Sequence, residues 1–581
     1  MAIASQDPVI QDRGKSPDND PDWAGSEATR YLCVGVYLDR DFRRQVLHEV
    51  LDAGHRAVAP SYGIDIVPVL RHAIRAQRRE FLRNLAFVAV LLVMLFIDST
   101  AVVAGLLLAQ SLSQIVRAWK AFAAGRILRG FMHAFVATLL NFLALGFLNG
   151  DAQLANSTDG LFGSGQSTGT GTSSGTGTEG ALEASVVVFL VLWGLAWAVR
   201  LVELLVNHHT ILTELSPDRF RPQDAPPEPE RYAARIAFLA DAQKGNVTYY
   251  SRSVADRPFV GSGFLEQPWH LGIPLRPRAE GEPPENEEGG ASPAGELSPQ
   301  TLYRRMRLAL LSLADPNTPA GRRIVGLSMQ PRLFVPGLLR RQDGLLDVAR
   351  QLPRHHLNRA ELDSFEQYDR NRATEYLTIR IGAWEGELEV TVFLYFSIRG
   401  ETLYMEFVGA QLPSVRELYH SADSYQQLEP VVYLQLARSA LGGLPLMLLR
   451  SPLDFVRSTR DRVREQLTFQ GEIQEIGNRL AFDYGVRTSV RELGAEDASE
   501  QFFQRLDGQR YIYLVERRVR DAVAEVLEEF GYSNEEFLER TTTIINNSTQ
   551  ISGGTFNASS LAVGANAVAE NSAPNRGGGA S

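Results

Sequence analysis

Three long apolar runs interrupt an otherwise mixed polar chain: NLAFVAVLLVMLFIDSTAVVAGLLLAQSLSQIV at 84–116, FMHAFVATLLNFLALGFLN at 131–149 and EASVVVFLVLWGLAWAVRLVELLV at 183–206. The second and third have roughly the ~20 residues needed to cross the hydrocarbon as one helix. The first is too long for one ordinary span and carries Asp98 at its centre.

Basic residues orient these runs. Arg71, Arg75, Arg78, Arg79 and Arg83 precede the first, and Arg117, Lys120, Arg126 and Arg129 lie between the first and second. Residues 150–182 hold no Lys or Arg, and Arg219 and Arg221 follow the third run. Short loops rich in Lys and Arg stay on the cytoplasmic side. Both flanks of 84–116 then share a compartment, so that run must enter and return. The expected arrangement is four membrane segments (84–97, 100–116, 131–149 and 183–206), the first two a short hairpin, with 150–182 as an outer loop. Asp98, Ser99 and Thr100 supply the reversal by bonding local backbone. A single span would instead place Asp98 near the midplane at about 2.5–3.5 kcal/mol, where a carboxylate serves by default in an ion or proton path. Asp98 is therefore read as a hairpin turn or an intramembrane carboxylate. Segment 113–130 alternates apolar and basic residues at helical spacing, which suits an interfacial helix on anionic headgroups or a contact between helices.

The remaining pattern predicts water-exposed parts. Residues 1–29 and 570–581 form polar tails. Residues 30–83 read as a small βαβα unit, opening on the strand-like YLCVGVYL and adding strands to a sheet formed further on. A linker over 207–230 leads into an α+β domain over 231–276 and 300–492, with an acidic insert at 277–299. Its clearest signal is 373–412. ATEYLTIRIGAW, GELEVTVFLYFSI and ETLYMEFVGAQL alternate apolar and polar positions and are joined at Glu385–Gly386 and Arg399–Gly400, the pattern of an antiparallel meander. Helices are expected near 230–243, 299–315, 337–352 and 427–442. Residues 430–453 are apolar but broken by Arg438 and two prolines, so a core helix or a membrane-surface contact is expected there rather than a span. Within 499–531, Ile512, Val515, Val519, Val523 and Val526 mark an amphipathic helix that packs internally or pairs with a second copy as a coiled coil. Ile545, Ile551, Phe556 and Leu561 recur within 541–569, a short β-repeat to be completed by self-association or by a protein partner.

Composition narrows the function classes. The chain has 581 residues and a formal charge of −10, which argues against a nucleic-acid partner. Only Lys15, Lys120 and Lys244 among its 58 basic residues are lysine, a bias that follows from a GC-rich genome. The single cysteine, Cys33, allows no intrachain disulfide and no cysteine-based metal cluster. His208–His209 and His355–His356 lack a third ligand at metal-site spacing, and Glu385 and Glu387 are explained by a solvated turn. The Gly/Ser/Thr-rich outer loop has no phosphate-loop pattern. No catalytic, cofactor-binding or metal-binding residue is assigned.

NVTYYS with PFVGSG, the string TVFLYFSIRGETLYMEFVGAQLP, and FDYGVRTSVREL followed by a helix and SLAVG resemble uncharacterised actinobacterial multi-pass integral membrane proteins. The resemblance covers most of the chain and implies no known activity. The expected function is a polytopic cell-membrane protein, with both terminal regions cytoplasmic, presenting a cytosolic interaction, sensing or scaffolding domain. The alternatives are a channel or transporter subunit that uses Asp98, or a membrane-bound enzyme with dispersed active-site residues.

Overall fold

The computed structural model describes residues 26–97, 107, 110–111, 114–115, 117–119, 121–123, 126–161, 176–278, 297–319, 321–340, 343–347, 352–365, 372–425, 430–496 and 501–551. Helix α1 (Glu27–Leu38) starts on Ser26, whose side chain accepts from the Thr29 amide, and α2 (Arg40–Val46) is capped by Asp39. The strand expected at YLCVGVYL is thus a helix, and 30–83 contributes no strand to any sheet. Ten of the twelve residues of α1 are buried. A helix apolar on every side shows no one-sided stripe, so burial overrides its β-branched composition.

Helix α3 (Ile66–Ile97) runs from this buried base into the first apolar stretch. Helices α4 (Ile127–Leu161) and α5 (Thr176–Glu214) follow. Among the described residues three segments are long and apolar enough to cross a membrane: Ile66–Ile97, Ile127–Ala144 and Leu190–Glu214. Helical residues between 107 and 123 run antiparallel to α4. Ser111 Oγ donates to the Ala137 carbonyl at 3.2 Å, and Phe122 meets Phe131 edge-on. Asp98 and the turn expected at 98–100 lie outside the described residues.

The soluble part begins with α6 (Glu230–Ala242) and is built on a mixed six-stranded sheet, order β1-β3-β7-β8-β9-β2. The strands are β1 (Val247–Tyr250), β2 (Phe264–Pro274), β3 (Leu327–Pro336), β7 (Thr374–Ala383), β8 (Leu388–Arg399) and β9 (Thr402–Leu412). In this sheet β1 and β3 pair in parallel and the other neighbours pair antiparallel. Edge strand β2 bulges between Glu266 and Trp269, where Pro268 has no amide to offer. Short strands β4 (Leu338–Arg340), β5 (Leu346–Asp347) and β6 (Leu352–Pro353) occupy the region where a helix over 337–352 was expected. The β7–β8 connection holds Trp384 and Glu385 at positive φ, closing the tight turn with Gly386.

One sheet face packs on α7 (Pro299–Ala314) and α12 (Phe502–Glu529), and α8 (Arg359–Phe365) lies beside β7. Ile512, Val515, Val519, Val523 and Val526 of α12 all belong to this core, so its seam packs internally, the first of the two arrangements expected for it. Helix α13 (Glu535–Ile551) continues the layer with Phe537 fully buried. Residues 541–551, expected as β rungs, are therefore helical; 552–569 lie outside the described residues.

After α9 (Glu417–His420), helix α10 (Pro430–Asn478) runs for 49 residues, and β10 (Ala481–Asp483) and α11 (Val490–Leu493) follow. Leu444 and Leu448 of α10 join Phe87, Val90 and Met94 of α3 and Ala196 of α5 in one apolar cluster. Trp197 Nε1 donates to the Ala437 carbonyl at 2.9 Å. The 430–453 segment therefore packs directly on two of the candidate spans.

Candidate functional site at the membrane boundary

Where α3, α5 and α10 leave that apolar cluster and enter the soluble core, they enclose a cavity of about 460 Å³ with the ends of α1 and α2. Helical spacing sets its walls. Glu80, Arg83 and Phe87 fall at i, i+3 and i+7 on α3; Arg200, Glu203 and Asn207 do so on α5; Met447, Arg450 and Asp454 do so on α10. Residues at these offsets share a helix face.

The charged groups are cross-linked. Glu80 accepts from Arg40 at 2.6 Å, from Arg83 at 3.4 Å and also from Arg43. Arg83 reaches across to Glu203 at 2.7 Å, and Glu203 also pairs with Arg200. Arg40 bonds Asp454 at 2.9 Å, tying α2 to α10. Burial disfavours charge on Arg40, but the Asp454 bond and the nearby Glu80 outweigh it and raise its pKa. Arg43 donates to the Val36 carbonyl at 2.6 Å. A pairing this dense in a half-buried place holds several helices in one register, since each charge removed from water needs its partner in place.

A second polar assembly joins the N-terminal helices to the sheet. Buried Tyr62 lies under the Arg332 and Arg380 guanidinium groups, at 5.8 and 4.7 Å from its ring centre. Arg491, fully buried, donates to the carbonyls of Glu387 and Pro413, and burial pushes its pKa down to about 10. Glu492 closes a capping box with Ser489 and accepts from the amides of Gly261 and Gly263. This assembly fastens one part of the fold to another.

The residues singled out by sequence scatter. His208 is buried, stacked on Tyr425 with ring centres 4.7 Å apart, and lines the cavity, whereas His209 is exposed. His355 packs edge-on to Phe238 and His356 is exposed. Among the described residues no group of three His, Cys, Asp or Glu could hold a metal. Cys33 is fully buried, which raises its thiol pKa. Glu387 is not a solvated turn residue: it is 7% exposed and meets His420 Nε2 at 3.1 Å. Sequence reading missed Glu80, Glu203 and Asp454 altogether. The available signal was a carboxylate one or two helical turns from arginines at the end of an apolar run.

Residues 268–558 match the family model of the AbeC-like domain, 291 of the 581 residues and so just over half of the chain. That stretch takes in the sheet from β2 onward, α10 and the C-terminal helices. No curated protein and no solved structure matches the chain.

Proposed function

The chain belongs to the AbeC-like domain family, and from that premise we propose that it is a polytopic membrane protein presenting this domain at the cytoplasmic face for interaction with a protein partner. The observation that carries the reading is helix continuity. Helix α3 runs unbroken from the apolar cluster at Phe87, Val90 and Met94 into the soluble core at Val69 and Leu70, and α5 does the same from Ala196 to Ile211. Helix α10 joins the same cluster and ends against the sheet domain at Ile476. Three unbroken helices cross-tied by ion pairs act as stiff struts, so a shift among the spans is passed to the domain rather than absorbed in a linker.

The cytoplasmic placement rests on the arginine distribution around the apolar runs. In this arrangement 84–116 forms the hairpin, Asp98 is its turn residue, and 373–412 serves as the antiparallel meander at the centre of the cytosolic domain. A partner surface is supported by Phe502, Phe503 and Leu506, which leave an apolar stripe open on α12 beside exposed Trp384. Self-association through the same stripe is the related reading, with the 541–569 region adding to it.

Cysteine accessibility tests the placement. With Cys33→Ala as background, Ser99→Cys is expected to react with an impermeant thiol reagent on intact cells and Lys120→Cys to be protected. The reverse pattern overturns it. For the partner, Phe503→Ser is expected to abolish a cross-link captured at the α12 stripe in membranes while leaving the melting temperature unchanged. An undiminished cross-link overturns that part.

A further inference from the structure

The boundary cavity has features that the strut function does not require. Its walls change character within about two helical turns. Phe87, Leu436 and Met447 line one side, and Phe87 and Met447 also belong to or pack on the apolar cluster among the spans. Glu80 and Asp454 lie about two turns further along α3 and α10 and are joined through Arg40. A soluble anion makes no use of the apolar wall, and a hydrocarbon chain makes no use of the charged one. An amphiphile uses both.

The charge does not cancel. Five arginines (40, 43, 83, 200 and 450) stand against Glu80, Glu203 and Asp454, a surplus of two positive charges with His208 counted as neutral. Two arginines have donors to spare. Arg450 is exposed and has no ion pair among the described residues. Arg200 has only Glu203, which it shares with Arg83. An arginine pair with spare donors at a bilayer boundary is suited to phosphate oxygens, which guanidinium groups bind through paired N–H bonds. The volume falls in the range of small-molecule sites.

We infer that this cavity binds the phosphodiester headgroup of an anionic phospholipid. Arg450 and Arg200 hold the phosphate, the surplus charge selects an anionic over a zwitterionic headgroup, and the acyl chains lie along the apolar wall at Phe87 and Met447. The site requires only that the helices sit in a bilayer and is independent of which face the domain occupies.

The test uses the full chain, purified in detergent, stripped of lipid and examined by native mass spectrometry. Phosphatidylglycerol and phosphatidylcholine with identical acyl chains are titrated separately, and inorganic phosphate is titrated alone. Wild type is expected to prefer phosphatidylglycerol by about tenfold, two surplus charges at a membrane surface each contributing up to roughly fivefold. Arg450→Gln removes no ion pair, so it is expected to keep the wild-type melting temperature and lose about fivefold of that preference. Met447→Ser is expected to weaken both lipids alike. Equal binding of the two lipids by wild type overturns the inference, as does an Arg450→Gln variant with undiminished preference. Uptake of inorganic phosphate without any lipid preference overturns it too, by assigning the site to a soluble anion.

Discussion

Arg83 of α3 places its Nη1 2.7 Å from Glu203 of α5, and both side chains are nearly buried, at 13% and 11% exposure. The two residues stand 120 positions apart, on different candidate spans. Glu203 also serves Arg200, so its loss leaves two guanidinium groups short of a partner. Glu203→Gln is expected to destabilise the helical bundle by about 3 kcal/mol, the usual scale for breaking a buried pair on one side. Arg83→Met combined with Glu203→Leu is expected to be milder than the single change. Thermal unfolding of both proteins in the same detergent checks the order.

Stability is expected to depend on pH through His420. Burial disfavours its charged form, but the bond to Glu387 and the nearby Asp423 outweigh that and raise its pKa. A histidine whose folded pKa lies above the unfolded value of about 6.5 binds its proton more tightly when folded. Its contribution is complete below about pH 6.5 and disappears as pH rises through the folded value. Melting temperatures between about pH 5.5 and about pH 8 are expected to fall more steeply for wild type than for Glu387→Gln. Parallel curves for the two proteins would remove His420 from the account.

Gly35 of α1 lies against the fully buried ring of Tyr419, and a Cβ at that position would meet ring atoms at 2.7 and 2.9 Å. Tyr419 cannot swing away, because its hydroxyl donates to Asp39 at 3.1 Å. Gly35→Ala gains up to about 1 kcal/mol of helix propensity. Overpacking costs about 1–3 kcal/mol. A net loss is expected, read as a lower denaturation midpoint. Gly194, in α5 with nothing near its Cβ position, is the control, and Gly194→Ala is expected to be neutral or slightly stabilising.

Asp98 separates the anchoring reading from the transport one. As a turn residue it tolerates Asp98→Asn, because asparagine caps and turns as well as aspartate does. Reconstituted vesicles are expected to show the same proton and cation leak for both proteins. Loss of a wild-type flux in the variant would establish a conduction role instead.

How legible the chain was follows from where each signal resides. Three apolar helices of spanning length and the strands β7, β8 and β9 were readable because a bilayer-length run and a period of two are local patterns. YLCVGVYL was misread because α1 is buried on every side, so its sequence carries no helical stripe. Residues 541–551 were misread because widely spaced apolar residues among Thr and Asn suit a short rung and a one-sided helix equally. The boundary cavity was illegible for a different reason. Arg40 and Asp454 touch at 2.9 Å across 414 positions, and no sequence window brings them together. Glu387 looked like a solvated turn until the fold brought His420 against it.

The long helix α10 also bears on how the family region can be handled. The matched stretch begins at residue 268, after all three candidate spans, and looks severable from them. Yet it contains Leu444 and Leu448, which lie against α3 and α5, and Tyr419, which is covered by α1. A truncated protein starting there would bare a greasy flank where its neighbours had been and would clump rather than dissolve. Expression trials that trim the chain at the homology limit would select against the very piece they aim to isolate, so the natural unit for biochemistry is the intact polypeptide.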